Sequence, residues 1–483
     1  MKKNAWKTIL IFLLTAALAA GVVGCGKDTQ TSTKVPKDVP DYSNSTKELH
    51  IYAHRSTSEG SFTGVNGELI KYDSYITKEK FQEFKDCGFD VIYPQENAYN
   101  GEDFETSRMK AYLDLAQEVG LKCIVADDRI KRLSGLTTPL IGEDGEFATM
   151  EDLANQLREY LEPYADHPAF YGIVTRDEPK WDALTATCQV RQALKMVDEN
   201  LYVKTTLMPY HVSVTHKEYT GEEFGEKSYD SYDTYVRNYL ENSGANRVSY
   251  DDYPFLPDGF LTTFYRTLQY NVTTAAEYDA DVELIVQSFG KNNRRLPDLE
   301  ELYLQNNAAL AFGVKNIAYF TYFRMSTSEG IFGGILDYDG SKMLYDEVQE
   351  VIAYTREMAK VVLNFDYQKA FVTYDTTTDV TAPLYFSRVK SEKLDDIEDV
   401  QVTQPTIITQ MKDSTNNRTG YMVMNAETTL NDYSEPDEVI VSFEDYDFVT
   451  YYSVDGEKTV ELVDGKLTLT LPEGQAAFVI PHN

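Results

Sequence analysis

From residue 48 onward the chain alternates two textures. Short apolar runs rich in β-branched and aromatic residues are separated by longer stretches in which apolar side chains recur three and four apart. The runs are ELHIYAHR (48–55), FDVIYPQ (89–95), LKCIVADD (121–128), FYGIVTRDEP (170–179), LYVKTTLMP (201–209), RVSYDDYPF (247–255), VELIVQSFG (282–290) and NIAYFTYF (316–323). Between them, segments such as YITKEKFQEFKDCG, SRMKAYLDLAQEVG and LEELYLQNNAALAFG show helical period closed by glycine. Strand starts run from residue 48 to 316, about 38 residues per unit against about 31 in a minimal (β/α)8 barrel.

A doubly wound open sheet would alternate in the same way. The placement of polar residues favours the barrel. Nearly every run is apolar at its start and polar or ionisable at its end: His54 and Arg55, Gln95 and Glu96, Asp127 and Asp128, Asp177 and Glu178, Tyr210 and His211, Asp251 and Asp252, Gln287, Tyr322 and Arg324. A closed barrel brings all eight carboxyl ends to one mouth; an open sheet does not. The barrel is expected over 47–365, closing with an amphipathic helix in 341–362. From residue 366 to 483 the helical period is lost and short alternating strands with turns follow, the pattern of a small antiparallel β-sandwich. The pentapeptide STSEG occurs at 56–60 and at 326–330, but its flanks differ, so it marks no duplication.

The start of the chain reads differently. Lys2, Lys3 and Lys7 precede an apolar run from Ile9 to Val23 that ends in VVGC. That is the pattern of a secretory leader over 1–24, with a lipobox-like end whose Cys25 would carry lipid after cleavage; ordinary cleavage leaving a free cysteine is the alternative. Residues 25–46 hold few large apolar side chains and predict a flexible tether to the outer face of a bacterial membrane.

Length and composition narrow the classes further. The 483 residues are 42% hydrophobic, enough for a large core, and the formal charge of −33 repels phosphate backbones, which argues against nucleic acid as a partner. Four cysteines, Cys25, Cys87, Cys123 and Cys188, form no CxxC pair and no zinc-ligand spacing, so neither a metal, a cofactor nor a disulfide framework is expected. Oligomeric state is not legible.

The strongest local signal is RDEPKW (176–181) at the end of strand four. Glycoside hydrolysis needs one carboxylic acid to protonate the leaving oxygen and a second carboxylate to attack the sugar or activate water. Glu178 is the expected acid, with Pro179 stiffening the turn. Trp181, the only tryptophan beyond the leader, is a candidate platform for a sugar ring, or else a core residue at the barrel rim. His54, Arg55, Asp127, Asp128, Asp177, Tyr210, His211, Tyr253, Gln287 and Tyr322 are candidate substrate contacts; each could equally be a buried, satisfied polar group.

With the Asp-Glu-Pro of strand four, the DDYPF of strand six and the final AYFTYF followed by GGILDYDGSKMLYDEV, the chain resembles the retaining glycoside hydrolases of the large (β/α)8 clan that includes the family 42 β-galactosidases. The resemblance implies an acid/base glutamate at strand four, matched by Glu178, and a nucleophilic glutamate at strand seven, where this sequence has Gln287. The second carboxylate must then come from elsewhere, or hydrolysis is lost. Adjacent strand residues point to opposite faces, so one of Asp251 and Asp252 faces the mouth. Barrels of the α-galactosidase type also divide their carboxylates between strands four and six. Asp252 is favoured because Tyr253 and Pro254 close the strand just beyond it, with Asp251 the near alternative. The expected function is a lipid-anchored extracytoplasmic glycosidase acting on oligo- or polysaccharides. A non-catalytic surface glycan-binding lipoprotein is the alternative. The substrate-binding lipoprotein of a sugar transporter is disfavoured, because it needs two hinged lobes.

Overall fold

The computed structural model describes residues 34–56, 60–63, 69–72, 76–94, 99–213, 229–324, 330–337, 339–376, 383–428 and 437–483. The leader with Cys25, the polar strand end at Gln95 and Glu96 and most of both STSEG segments lie outside them. Eight parallel strands close into a barrel: β1 (His50–His54), β2 (Val91–Tyr93), β3 (Lys122–Ala126), β4 (Phe170–Asp177), β5 (Tyr202–Leu207), β6 (Arg247–Asp251), β7 (Asp281–Gln287) and β8 (Asn316–Phe320). Each pairs with its sequence neighbours, and β1 closes on β8 through His50↔Asn316 to Ala53↔Tyr319. Seven fall within the apolar runs and β7 starts one residue ahead of its run, and the final helix spans Tyr345–Val362.

Alternation along the strands separates two cores. Ile51, Ala53, Ile92, Val125, Ile173, Val248, Leu284 and Ile317 face the surrounding helices. Tyr52, Val91, Tyr93, Ile124, Ala126, Val174, Ile285 and Ala318 fill the interior, with Tyr202, Tyr253 and Phe320 against them. Helix starts are fixed by their own side chains. Thr149 and Asp152 cap Met150–Leu161 reciprocally, and Asp298 and Glu301 do the same for Leu299–Ala311. Gly120 ends Arg108–Val119 in the left-handed conformation (φ 75°), which a side chain would disfavour.

One interior layer is charged. Lys204 on β5 and Glu283 on β7 are both buried, with Nζ 3.1 Å from Oε1. Glu283 also accepts hydrogen bonds from Tyr52 (2.6 Å), Tyr202 (2.8 Å) and Ser249 (2.7 Å). Burial opposes its charge, but Lys204, Arg247 and these donors outweigh it and hold its carboxyl down at about 2.

Beyond the barrel, strands from Asp366 to His482 form a six-stranded and a three-stranded antiparallel sheet around Ile408, Tyr421, Val423, Val441 and Leu467. The outer face of the larger sheet joins the barrel core through Met411, Met422 and Phe478. Thr409 donates to the Ala311 carbonyl at 2.6 Å across this junction.

The tether reading is corrected for residues 36–46. These lie on the folded body: the buried Tyr42 packs on Phe365 and donates to Asp413 at 3.0 Å, and the Lys37 amide donates to the Asn483 carbonyl. A sparse apolar pattern hid one aromatic anchor that suffices to dock the segment.

Candidate active site

Strand four ends in a local irregularity. A bulge falls between Val174 and Arg176 in its pairing with β5, and the Glu178 amide still donates to the Thr206 carbonyl at 2.8 Å. Glu178 itself adopts φ 48°, a left-handed conformation rare for a residue with a Cβ. Pro179 is buried, and its carbonyl accepts from the Tyr235 hydroxyl at 2.9 Å, which fixes the turn from behind. The half-buried Glu178 side chain is thereby aimed at strand six.

On strand six the alternation decides which aspartate faces inward. Ser249 bonds the interior Glu283, Tyr250 belongs to the outer core, and Asp251, opposite the interior Ile285, points back into the lumen. Its carboxyl group is close enough to Glu178 for a hydrogen bond between the two. Burial pushes both acids well above the usual carboxylate range. The charges of Asp251 and Asp177 push Glu178 further; those of Asp177 and Asp252 add to the rise at Asp251, against which the Tyr253 hydroxyl donates. Two carboxyls this close do not both ionise readily, so the pair holds a shared proton above the ordinary carboxylate range. A neutral acid beside a carboxylate is the pair that acid-assisted displacement at an acetal carbon requires.

The expectation that Asp252 faces the mouth is thus corrected: Asp251 is the aspartate that lies beside Glu178. Asp252 is buried on the other side, with Oδ1 3.3 Å from Nδ1 of His211 and neither oxygen in hydrogen-bonding geometry. His211 in turn presents Nε2 at 3.4 Å to Arg294 Nη2. Tyr253 lies beside Asp251, its ring edge-on to Phe289 at 4.9 Å. His54 is buried among Tyr93 (5.0 Å), Phe320 (5.6 Å) and Tyr52 (6.0 Å). Arg55, at φ 53°, and the exposed Asp177 both act electrostatically on the buried Tyr93.

Other expected contacts serve the fold. Asp127 is fully buried, caps Asp128–Ser134 through the Arg129 amide, pairs with the Arg129 guanidinium at 2.7 Å and accepts from Tyr164 at 3.0 Å. Asp128 is exposed on that helix and pairs with Lys131. Gln287 is fully buried, and its amide is used by Phe255, Phe289 and Arg295, which bind the rim loops to strand seven. Tyr322 packs outside the barrel against Phe84 and Phe89. Tyr210 belongs to the outer core, edge-on to Tyr232. Trp181 opens the helix Trp181–Val197, half-buried against that same core. A polar residue at a strand end turns outward as often as inward, and sequence alone does not settle the turn that follows.

Sequence reasoning passed over Tyr93, Phe289 and Arg294. Tyr93 stands at an inward position of strand two and Phe289 two residues past strand seven, in phase with its inward Ile285, a signal available once the barrel parity is set.

No protein-family model matches the chain, and no curated protein matches it. Solved structures do. An alpha-amylase from Geobacillus thermoleovorans, determined with acarbose, superposes with a TM-score of 0.51 at 12% identity over 90% of this chain and 98% of that one. An alpha-amylase from Anoxybacillus gives 0.47 at 11% identity over 92% and 99%. At such identities the first likeness is one of fold: the chain is a closed (β/α)8 barrel followed by a β-sandwich.

Proposed function

We propose that the protein is a glycoside hydrolase in which Glu178 protonates the leaving oxygen and Asp251 is the second carboxylate. The observation that carries the proposal is the Glu178–Asp251 pair at the barrel mouth, where the ends of strands four and six bring two carboxyls together and burial raises both. Two carboxyls in contact lie closer to the about 5 Å of retaining enzymes than to the roughly 6.5–9.5 Å of inverting ones, which favours retention. Asp251 then attacks the anomeric carbon as the bond to the leaving oxygen breaks and the Glu178 proton passes to that oxygen. The same glutamate next takes a proton from water, which releases the sugar from Asp251. His54, Arg55, Asp177 and Tyr253 surround the pair and are the proposed sugar contacts. The likeness to family 42 enzymes and the lipid anchor at Cys25 belong to the same proposal; the anchor would hold the barrel at the extracytoplasmic face.

Turnover of a panel of α- and β-linked 4-nitrophenyl glycosides tests it. Wild type is expected to release 4-nitrophenol from at least one member, Asp251→Asn to lose at least 10³-fold, and Cys25→Ser to keep activity while losing incorporated palmitate. A wild type inactive across the panel that still binds glycan would favour the non-catalytic reading, whose support is the glutamine at position 287.

A further inference from the structure

Strand seven runs out into a rim ribbon. Gly290–Lys291 pairs antiparallel with Ile331–Phe332, in the register Gly290↔Phe332 and Lys291↔Ile331. Two residues suffice to split the faces. Ile331 is 4% exposed and joins Phe289, Tyr253 and Phe320 beside the acid pair, whereas Phe332 is 43% exposed on the other side. Its ring lies directly on the ribbon: a Cβ built on Gly290 would stand 2.3 Å from Phe332 Cε2, so only glycine leaves room for it. Met343, 37% exposed, continues the surface past Gly333. Among the described residues Phe332 is the one phenylalanine or tryptophan exposed to this degree. Of the polar groups of the same loop, Arg294 reaches back to the end of strand six. Lys291 and Arg294 exchange backbone hydrogen bonds at 2.7 and 2.8 Å, and the Arg294 guanidinium reaches His211, which contacts Asp252.

A single aromatic face bordered by cationic and amide side chains is too small for a protein interface. It matches the apolar face of one pyranose ring, with hydroxyls directed to the polar border. Resting on the hydrolase reading above, we infer that Phe332 is the stacking platform of a second sugar subsite, outside the ring that is cleaved, and that the substrate is an oligosaccharide reaching from Glu178 and Asp251 across the rim ribbon to Phe332.

The test uses the Glu178→Gln chain, which holds substrate without turning it over, and titrates maltohexaose, cellohexaose and xylohexaose calorimetrically, with kcat/KM measured in the active background. Adding Phe332→Ala is expected to weaken binding of the accepted hexasaccharide about tenfold, and Phe332→Trp to restore it. In the active enzyme, Phe332→Ala is expected to lower kcat/KM on that oligosaccharide about tenfold more than on the 4-nitrophenyl monosaccharide. Unchanged hexasaccharide binding in Phe332→Ala, equal losses on both substrates, or no binding of any of the three hexasaccharides overturns the platform. Binding that falls with Phe332→Ala in a protein that hydrolyses nothing sinks the hydrolase reading and keeps the platform; normal hydrolysis with a silent Phe332→Ala does the reverse.

Discussion

Glu178 was legible as a single residue. An acid at a strand end, followed by proline, is a small signal, but eight polar strand ends around it gave it a place. What the sequence could not give was its partner. The parity argument correctly held that only one of Asp251 and Asp252 faces the mouth, and the Tyr253–Pro254 stop then pointed to the wrong one. Counting from Ser249, which faces the interior Glu283, reaches Asp251. Glu178 also carries a prediction for stability. Its carboxyl is raised in the folded protein, while the unfolded chain titrates near the ordinary value of about 4.3. The folded state therefore binds more protons than the unfolded one, and stability falls as pH rises from that ordinary value through the raised folded one. Glu178→Gln removes the loss, so its Tm should exceed that of wild type at pH 8, with the gap closing toward pH 4 in matched thermal scans. A gap that does not vary with pH would place the Glu178 carboxyl in its ordinary range.

Strands were more legible than what joins them. Their apolar runs and period-2 alternation survive in the sequence, but the ribbon Gly290–Lys291/Ile331–Phe332 is made of two-residue strands 40 residues apart, beyond any local pattern. Lys204 and Glu283 illustrate a second limit. Each sits in its run as the one charged residue, which in a half-exposed strand would face water; only closure of the barrel turns both inward. Because Lys204 is the ammonium that balances a buried carboxylate, Lys204→Met should cost about 3–5 kcal/mol in urea unfolding, and Lys204→Met with Glu283→Leu should recover most of that loss. A single variant as stable as wild type would mean that the pair is not what keeps Glu283 ionised.

For the whole molecule, the order of helices and strands, the convergence of polar tips and the change of texture after 365 all pointed to a barrel with an antiparallel appendage, and the chain folds so. The segment 36–46 departs from that reading because Tyr42, Asp38 and Lys37 find partners at Phe365, Asp413, Arg418 and Asn483, residues more than 300 positions away. Such docking exists only in the folded body and leaves no local trace. It seats residues 36–46 against Phe365 beside the barrel and Asp413, Arg418 and Asn483 of the sandwich.

The account rests on Glu178 as the proton donor, and leaving-group dependence addresses that role without knowledge of the natural sugar. On the glycoside that wild type accepts, Glu178→Ala should cleave a 2,4-dinitrophenyl leaving group, which departs without protonation, within about tenfold of wild type. It should lose roughly 10³-fold or more on the corresponding methyl or alkyl glycoside, whose oxygen must be protonated to leave. Equal losses on both leaving groups, or none on either, would contradict the assignment of Glu178 as the acid.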